Sequence, residues 1–187
     1  RECGGLDYSE KDLENAICEH ELLYSYGIHV LEQQYRTEFG IIDILGYCPD
    51  EKRLAIIEVK KGIVDESAVG QVMRYMAAIY DLISGLKKQD NIPEELKNLN
   101  PASKGILIGN DATSGVKAIT RCFPFLFFIK TEVYMDVVVD PQEYERAPES
   151  LTLDVNRFVN SSFIEPIVNH IAHQNKLDLA STPTTEE

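Results

Sequence analysis

Three groups of residues in this 187-residue chain have types and spacing that suit joint chemistry. Asp43 sits inside the apolar run Ile41-Ile42-Asp43-Ile44-Leu45. Glu58-Val59-Lys60 closes a second apolar run, Leu54-Ala55-Ile56-Ile57. Gln71 and Tyr75 follow, four apart, in a helical pattern. An acid, then an acid and a lysine two residues apart, then an amide on the next element, suit a divalent cation and a phosphodiester. Hydrolysing that ester requires neutralised charge at the phosphate and an activated water, and Mg²⁺ or Mn²⁺ supplies both. Such hard ions take oxygen ligands, and Mg²⁺ keeps several waters beside one or two carboxylates. Asp43 and Glu58 are the candidate carboxylates, with the Val59 carbonyl oxygen as a third ligand. Lys60 would aim its ammonium at the attacking water or the scissile phosphate. General base and transition-state stabiliser both remain open for it, and a lysine near a metal in an apolar sheet can have its pKa lowered. Gln71 would orient the nucleophile or contact Lys60. Glu14, from an earlier helix, would ligate a second ion or hold metal-bound water, with Glu10 one turn before it as its rival.

The elements that must position these residues are legible from pattern. Ser9-Glu10-Lys11-Asp12 reads as an N-cap with first-turn acids, opening a helix to about His20 with Leu13, Ala16 and Ile17 inward. His29 to Thr37 alternates as a first strand. Gly40 to Gly46 and Arg53 to Lys60 flank the turn Pro49-Asp50-Glu51-Lys52, which predicts an antiparallel hairpin. Both strands are apolar on both faces and so belong at the centre of a sheet. If Tyr47 lies opposite Leu54, Asp43 falls opposite Glu58, with Cβ atoms about 5 Å apart. Asp65 caps a helix to about Ser84, with Val69, Val72, Met76, Ile79 and Ile83 as its core stripe. Gly85 to Pro101 reads as a polar connection, Lys104 to Gly109 as a buried strand and Thr113 to Cys122 as a short helix. Phe125 to Ile129 and Glu132 to Val139 read as further strands and 140–150 as a loop. Val155 to Gln174 has helical spacing interrupted by Pro166.

Composition bounds the class. Length and apolar content suit one domain, with a core over 9–130, a C-terminal extension over 131–179 and a flexible tail over 180–187. Cys3, Cys18, Cys48 and Cys122 lie far apart, which argues against a zinc knuckle or disulfide framework and for a reducing, intracellular setting. No apolar run is long enough for a membrane span. The chain opens on Arg1 rather than Met, so a preceding segment is expected. The net charge of −13 opposes unassisted binding to long duplex, because phosphate contacts need Lys and Arg. Residues 27–88, with 8 basic and 9 acidic groups, are close to neutral, and a dimer, a partner subunit or a restricted substrate would help.

Plainer readings stand beside these. Glu-x-Lys is common by chance, and Asp43 with Lys60 could be a structural ion pair. Against that, two acids and a lysine inside apolar strands are costly unless paired or metal-bound. Gln71 and Tyr75 could be a solvated helix face, and Glu14 an exposed first-turn acid. Lys61, Arg74, Arg36 and Tyr75 are the candidate nucleic-acid contacts, with solvated charge the plainer reading of each cation. His170 and His173 have a zinc-compatible spacing but no evident partner. Phe123 to Ile129 is most simply a buried strand, or an apolar edge used for dimerisation.

The Asp43…Glu58-x-Lys60 pattern followed by Gln71-x-x-x-Tyr75 resembles the PD-(D/E)XK nuclease superfamily. Within it, Glu58-Val59-Lys60-Lys61-Gly62, Asp65 and Ala68-Val69-Gly70-Gln71-Val72-Met73-Arg74-Tyr75-Met76 resemble the catalytic domain of NucS-type (EndoMS) endonucleases, from about Ser9 through Ile79 and more weakly to the helix after Gly109. The resemblance implies an α/β, restriction-endonuclease-like fold, a mixed central sheet flanked by helices, cutting DNA with Mg²⁺ or Mn²⁺. It implies that Asp43, Glu58 and Lys60 are the catalytic triad, Gln71 and Tyr75 the helix motif and Glu14 the first-helix acid. Ile42 stands where the superfamily's nominal Pro precedes the Asp. No stretch matches the family's N-terminal dimerisation and base-recognition domain, so mismatch recognition is not carried over. Branched or single-stranded DNA is a candidate substrate. The alternatives are a catalytically silent binding or scaffolding module, or a nuclease subunit of a repair or defence complex acting on other nucleic acids.

Overall fold

Ser9 sets where the first helix starts. Its hydroxyl accepts from the Asp12 N–H at 3.1 Å, and the Asp12 carboxylate accepts from the Ser9 N–H at 2.8 Å, a reciprocal capping box. The computed structural model describes residues 8–131. The expected strand at Glu132 to Val139, the loop at 140–150, the helical stretch at Val155 to Gln174, His170, His173 and the tail all lie outside the described residues.

From that cap, α1 runs Glu10–Glu19, and a 3₁₀ turn at Leu22–Tyr26 leads into β1, His29–Thr37. β2 (Gly40–Cys48) and β3 (Arg53–Val59) form the expected hairpin, with Tyr47 opposite Leu54. The two-residue β4 (Ile63–Val64) precedes α2, Glu66–Leu86, whose cap is Asp65: its carboxylate accepts from the N–H groups of Ser67 and Ala68. A short α3 (Glu94–Asn98) leads to β5, Asn100–Gly109. Then come β6 (Asp111–Ala112), α4 (Ser114–Cys122) and β7 (Leu126–Lys130).

The main sheet has the order β1-β2-β3-β5-β7. The first three strands are antiparallel, while β5 lies parallel to β3 and β7 parallel to β5, so the sheet is mixed. Parallel neighbours need a long crossover, and α2 supplies it between β3 and β5. Alternation along β3 sends Ala55, Ile57 and Val59 to the face covered by α1, where they meet Leu13, Ile17, Ile44, Ile106 and Ile108. Leu54 and Ile56 go to the face covered by α2, against Val69, Val72, Ile79, Ile83 and Leu107. Each such side chain contributes about 1.5–3 kcal/mol when fully buried. Gly105 lets α2 lie close on β5: a Cβ there would come 2.6 Å from Val72 Cγ1 and 2.8 Å from both Leu126 Cδ1 and Met76 Sδ.

The stretch 85–101 is more structured than its polarity suggests. Leu96 anchors α3 in the core, and β5 already begins at Asn100. Pro101 is tolerated because the β3–β5 register slips between Arg53 and Ala55, where a missing N–H removes no ladder bond. β4 and β6, paired parallel through Ile63 and Asp111, are too short to leave a periodicity. Cys18, Cys48 and Cys122 are free thiols. No helix among the described residues is long and apolar enough to cross a membrane.

Candidate active site

The hairpin brings the two acids and the lysine together. With the observed register carried one residue beyond the Ile44–Ile57 pair, Asp43 lies across from Glu58. The Asp43 carboxylate accepts from the backbone N–H of Val59 at 2.9 Å, which ties it to β3 through the main chain. Glu58 is 1% exposed. Lys60 Nζ donates to its Oε1 at 2.8 Å, whereas its buried Oε2 has no hydrogen-bond donor among the described residues. Lys60 is itself held in place, because its N–H donates to the Ile108 carbonyl of β5 at 2.8 Å. A residue's N–H and C=O leave a strand on the same side, so the Val59 carbonyl faces the Asp43 edge as well.

The first helix delivers two further acids. Glu10 lies 3.6 Å from Lys60 Nζ and also accepts from the Lys61 N–H at 3.3 Å. Glu14 is buried, so the reading of it as an exposed first-turn acid is corrected: Leu13 and Ile17 turn this side of α1 inward and take Glu14 with them. Both Glu14 oxygens are engaged, Oε1 by Lys11 Nζ and Oε2 by Gln34 Nε2, each at 2.7 Å.

Gln34 is a residue that no pattern singled out. The flanking β1–β2 pairs, Gln33 with Ile44 and Tyr35 with Ile42, bracket it across from Asp43, and its Nε2 lies 3.4 Å from Asp43 Oδ1 as well as 2.7 Å from Glu14 Oε2. Its backbone has φ 56°, the left-handed region, inside a strand. A non-glycine residue there costs about 1–2 kcal/mol. On the facing strand, Ile42 belongs to the cluster under α2 and Ile44 to the cluster under α1. Residues two apart normally share a face, so β2 turns over at Asp43, beside the Gln34 irregularity.

The contributions expected from α2 are placed differently. Gln71 Nε2 donates to Tyr75 Oη at 3.0 Å, along its own helix, and makes no hydrogen bond to Lys60 among the described residues. Tyr75 is 4% exposed, which corrects its reading as a nucleic-acid contact. Its ring fills the space over Gly40, where a Cβ would come 2.9 Å from Tyr75 Oη. Among the candidate cations, Lys61 Nζ stands 5.0 Å from the centre of the Tyr8 ring. Arg36 and Arg74 are exposed, and Arg74 lies along α2 beside Gly70.

Burial leaves the site short of positive charge. Desolvation first, and then the Asp43 charge, push the Glu58 carboxyl up to about 7 against the pull of Lys60. Burial also raises Asp43, opposed by the Val59 N–H and Lys60 and reinforced by Glu14 and Glu10. For Lys60, burial pulls the ammonium down, but the hydrogen bond and charge of Glu58, with Glu10 and Asp43, outweigh it. The net shift is upward, because Lys60 sits among acids.

Residues 9–119, more than half of the chain, match the family described as the endonuclease NucS C-terminal domain. The chain belongs to this family. Solved structures similar to this NucS-type domain include a repair endonuclease from Pyrococcus abyssi, at 24% identity over 70% of this chain and 50% of that one, with a TM-score of 0.48. An EndoMS–dsDNA complex is 20% identical over 72% of this chain and 50% of that one, with a TM-score of 0.49. EndoMS in its apo form is 24% identical over 70% and 49%, with a TM-score of 0.46. The chain spans about half the length of each.

The residues of the NucS-type domain fit a hard divalent ion. Glu58 Oε2 is buried and unspent, Asp43 stands across from it, and every candidate donor is an oxygen. Among the described residues, no three His, Cys, Asp or Glu side chains are gathered as a ready shell. The fit is therefore to two carboxylates and a main-chain carbonyl, with water completing the set, and Glu14 is held back by Lys11 and Gln34.

Proposed function

We propose that this NucS-type domain is an endonuclease that hydrolyses phosphodiester bonds in DNA with Mg²⁺ or Mn²⁺, Asp43, Glu58 and the Val59 carbonyl being the residues that hold the ion. One observation carries the reading. Among the described residues, a glutamate 1% exposed has an oxygen with no donor, beside the half-buried Asp43 carboxylate and the ammonium of Lys60. An arrangement with that deficit of positive charge favours a proton or a cation.

When bound, the divalent ion supplies charge neutralisation at the phosphate and a more acidic water. The protein's own residues do the rest. The Val59 N–H fixes the Asp43 carboxylate. Lys60, held against Glu58 and near Glu10, would turn its ammonium to the negative charge at the phosphate. Gln71 acts through Tyr75, holding the ring over Gly40 at the β1–β2 turn and thereby the hairpin that carries Asp43. Lys61, Arg74 and Arg36 would be the cations that meet the nucleic-acid backbone.

The test is cleavage of plasmid, branched and single-stranded DNA, each with and without Mg²⁺ or Mn²⁺. Asp43→Ala, Glu58→Ala and Lys60→Ala should each abolish metal-dependent cutting. Cutting that survives all three removes the assignment. The net charge of −13 opposes tight contact with DNA and favours a second reading, a catalytically silent binding or scaffolding module of the same fold; a chain that neither binds Mn²⁺ at this site nor cuts would be that module.

A further inference from the structure

We propose that Gln34 limits the site to one divalent ion. One nitrogen, Gln34 Nε2, stands between two carboxylates, 2.7 Å from Glu14 Oε2 and 3.4 Å from Asp43 Oδ1. A second cation that used both Glu14 and Asp43 would have to displace it. Glu14 is buried and its other oxygen is engaged by Lys11, so a cation drawn to Glu14 would have to compete with both the carboxamide and the ammonium.

The backbone supports a dedicated placement. Gln34 adopts φ 56° in the middle of β1, opposite Asp43, a conformation that glycine takes freely and glutamine does not. Backbone held in such a region persists only where its surroundings impose it, and it concentrates at functional sites. Here the left-handed residue carries the side chain that spans the two acids. The second observation is Glu58 Oε2, buried without a donor among the described residues, which leaves the Asp43–Glu58 side open to the first ion. Gln34 is therefore a positioning residue: it neutralises the approach of Glu14 to Asp43 by hydrogen bonding and keeps Glu14 out of the ligand set.

The inference rests on the metal reading above, and its test separates the two. Mn²⁺ is titrated calorimetrically into the whole chain and into Gln34→Gly, with electron paramagnetic resonance of the loaded proteins. Glycine keeps the left-handed backbone and removes the carboxamide; Gln34→Glu is the second variant, keeping the side-chain length and adding a ligand. Thermal melts in chelator confirm that both fold. The expected result is one Mn²⁺ per wild-type chain, two per chain in both variants, and a spin-coupled spectrum in the variants alone. Two ions in the wild type, or one ion in wild type and variants alike, overturns the role of Gln34 and leaves the metal site standing. No Mn²⁺ in any of the three overturns the metal site and the inference together.

Discussion

Lys60 grips only half of Glu58: its Nζ is 2.8 Å from Oε1, while Oε2 of the same buried carboxylate faces no donor among the described residues. Among the described residues, Lys60 is thus set against Glu58, Asp43 and the half-exposed Glu10, and the shortfall favours a proton or a metal.

The proton should be visible in stability. Glu58 is raised from its ordinary value to about 7 and Asp43 is raised as well. Between the ordinary carboxyl range and about pH 7 the folded chain therefore holds more protons than the unfolded one, and these groups lose stability as pH rises. Lys60, raised from an already high value, contributes stability that fades only above that value, outside this window. In chelator, Glu58→Gln should gain about 3 kcal/mol on the wild type between pH 4.5 and 8. Urea unfolding across that range checks it; a difference independent of pH would contradict it.

A divalent ion must displace the Glu58 proton, so its stabilising effect should grow with pH. At about 100 times its dissociation constant, Mn²⁺ should add about 2.7 kcal/mol at pH 8. The same concentration should add much less at pH 5.5, and nothing in Asp43→Asn with Glu58→Gln. Thermal melts with and without Mn²⁺ read this directly.

Removing Lys60 leaves a buried carboxylate without its partner. Lys60→Ala should cost about 3 kcal/mol at pH 8, and clearly less at pH 5, where Glu58 carries its own proton. Chemical denaturation at the two pH values tests the pairing; an equal loss at both would assign Lys60 a packing role instead.

Gly40 has φ 131°, and a Cβ there would come 2.9 Å from Tyr75 Oη. Gly40→Ala should lower stability by about 1–3 kcal/mol. Adding Tyr75→Phe should recover part of it, because the clash is relieved while the backbone conformation still excludes alanine. A double-mutant cycle on denaturation midpoints measures the coupling, and strict additivity would show that the two residues do not meet.

The hairpin, the sheet-centre strands and the capped helices were legible because each leaves a local mark: Ser9 and Asp65 cap, Pro49 to Lys52 turn, and apolar runs at 41–45 and 54–57 sit at the centre. The Tyr47–Leu54 register followed from those marks and carried Asp43 to Glu58. What stayed hidden is what tertiary packing decides. Gln34 has no left-handed preference that would flag its conformation, and its partners come from α1 and β2. Tyr75 looked like the surface neighbour of Gln71, yet Gly40 on another strand makes the space that buries it. Glu14 carries a charge that argues for solvent, and only Lys11 and Gln34 together let it go inside.

The most direct test is a crystal structure of the chain grown with Mn²⁺, with anomalous scattering used to locate the ion. The account predicts a peak bound by the carboxylates of both Asp43 and Glu58, lost in Glu58→Gln. No peak at the hairpin, or one that touches neither carboxylate, contradicts it.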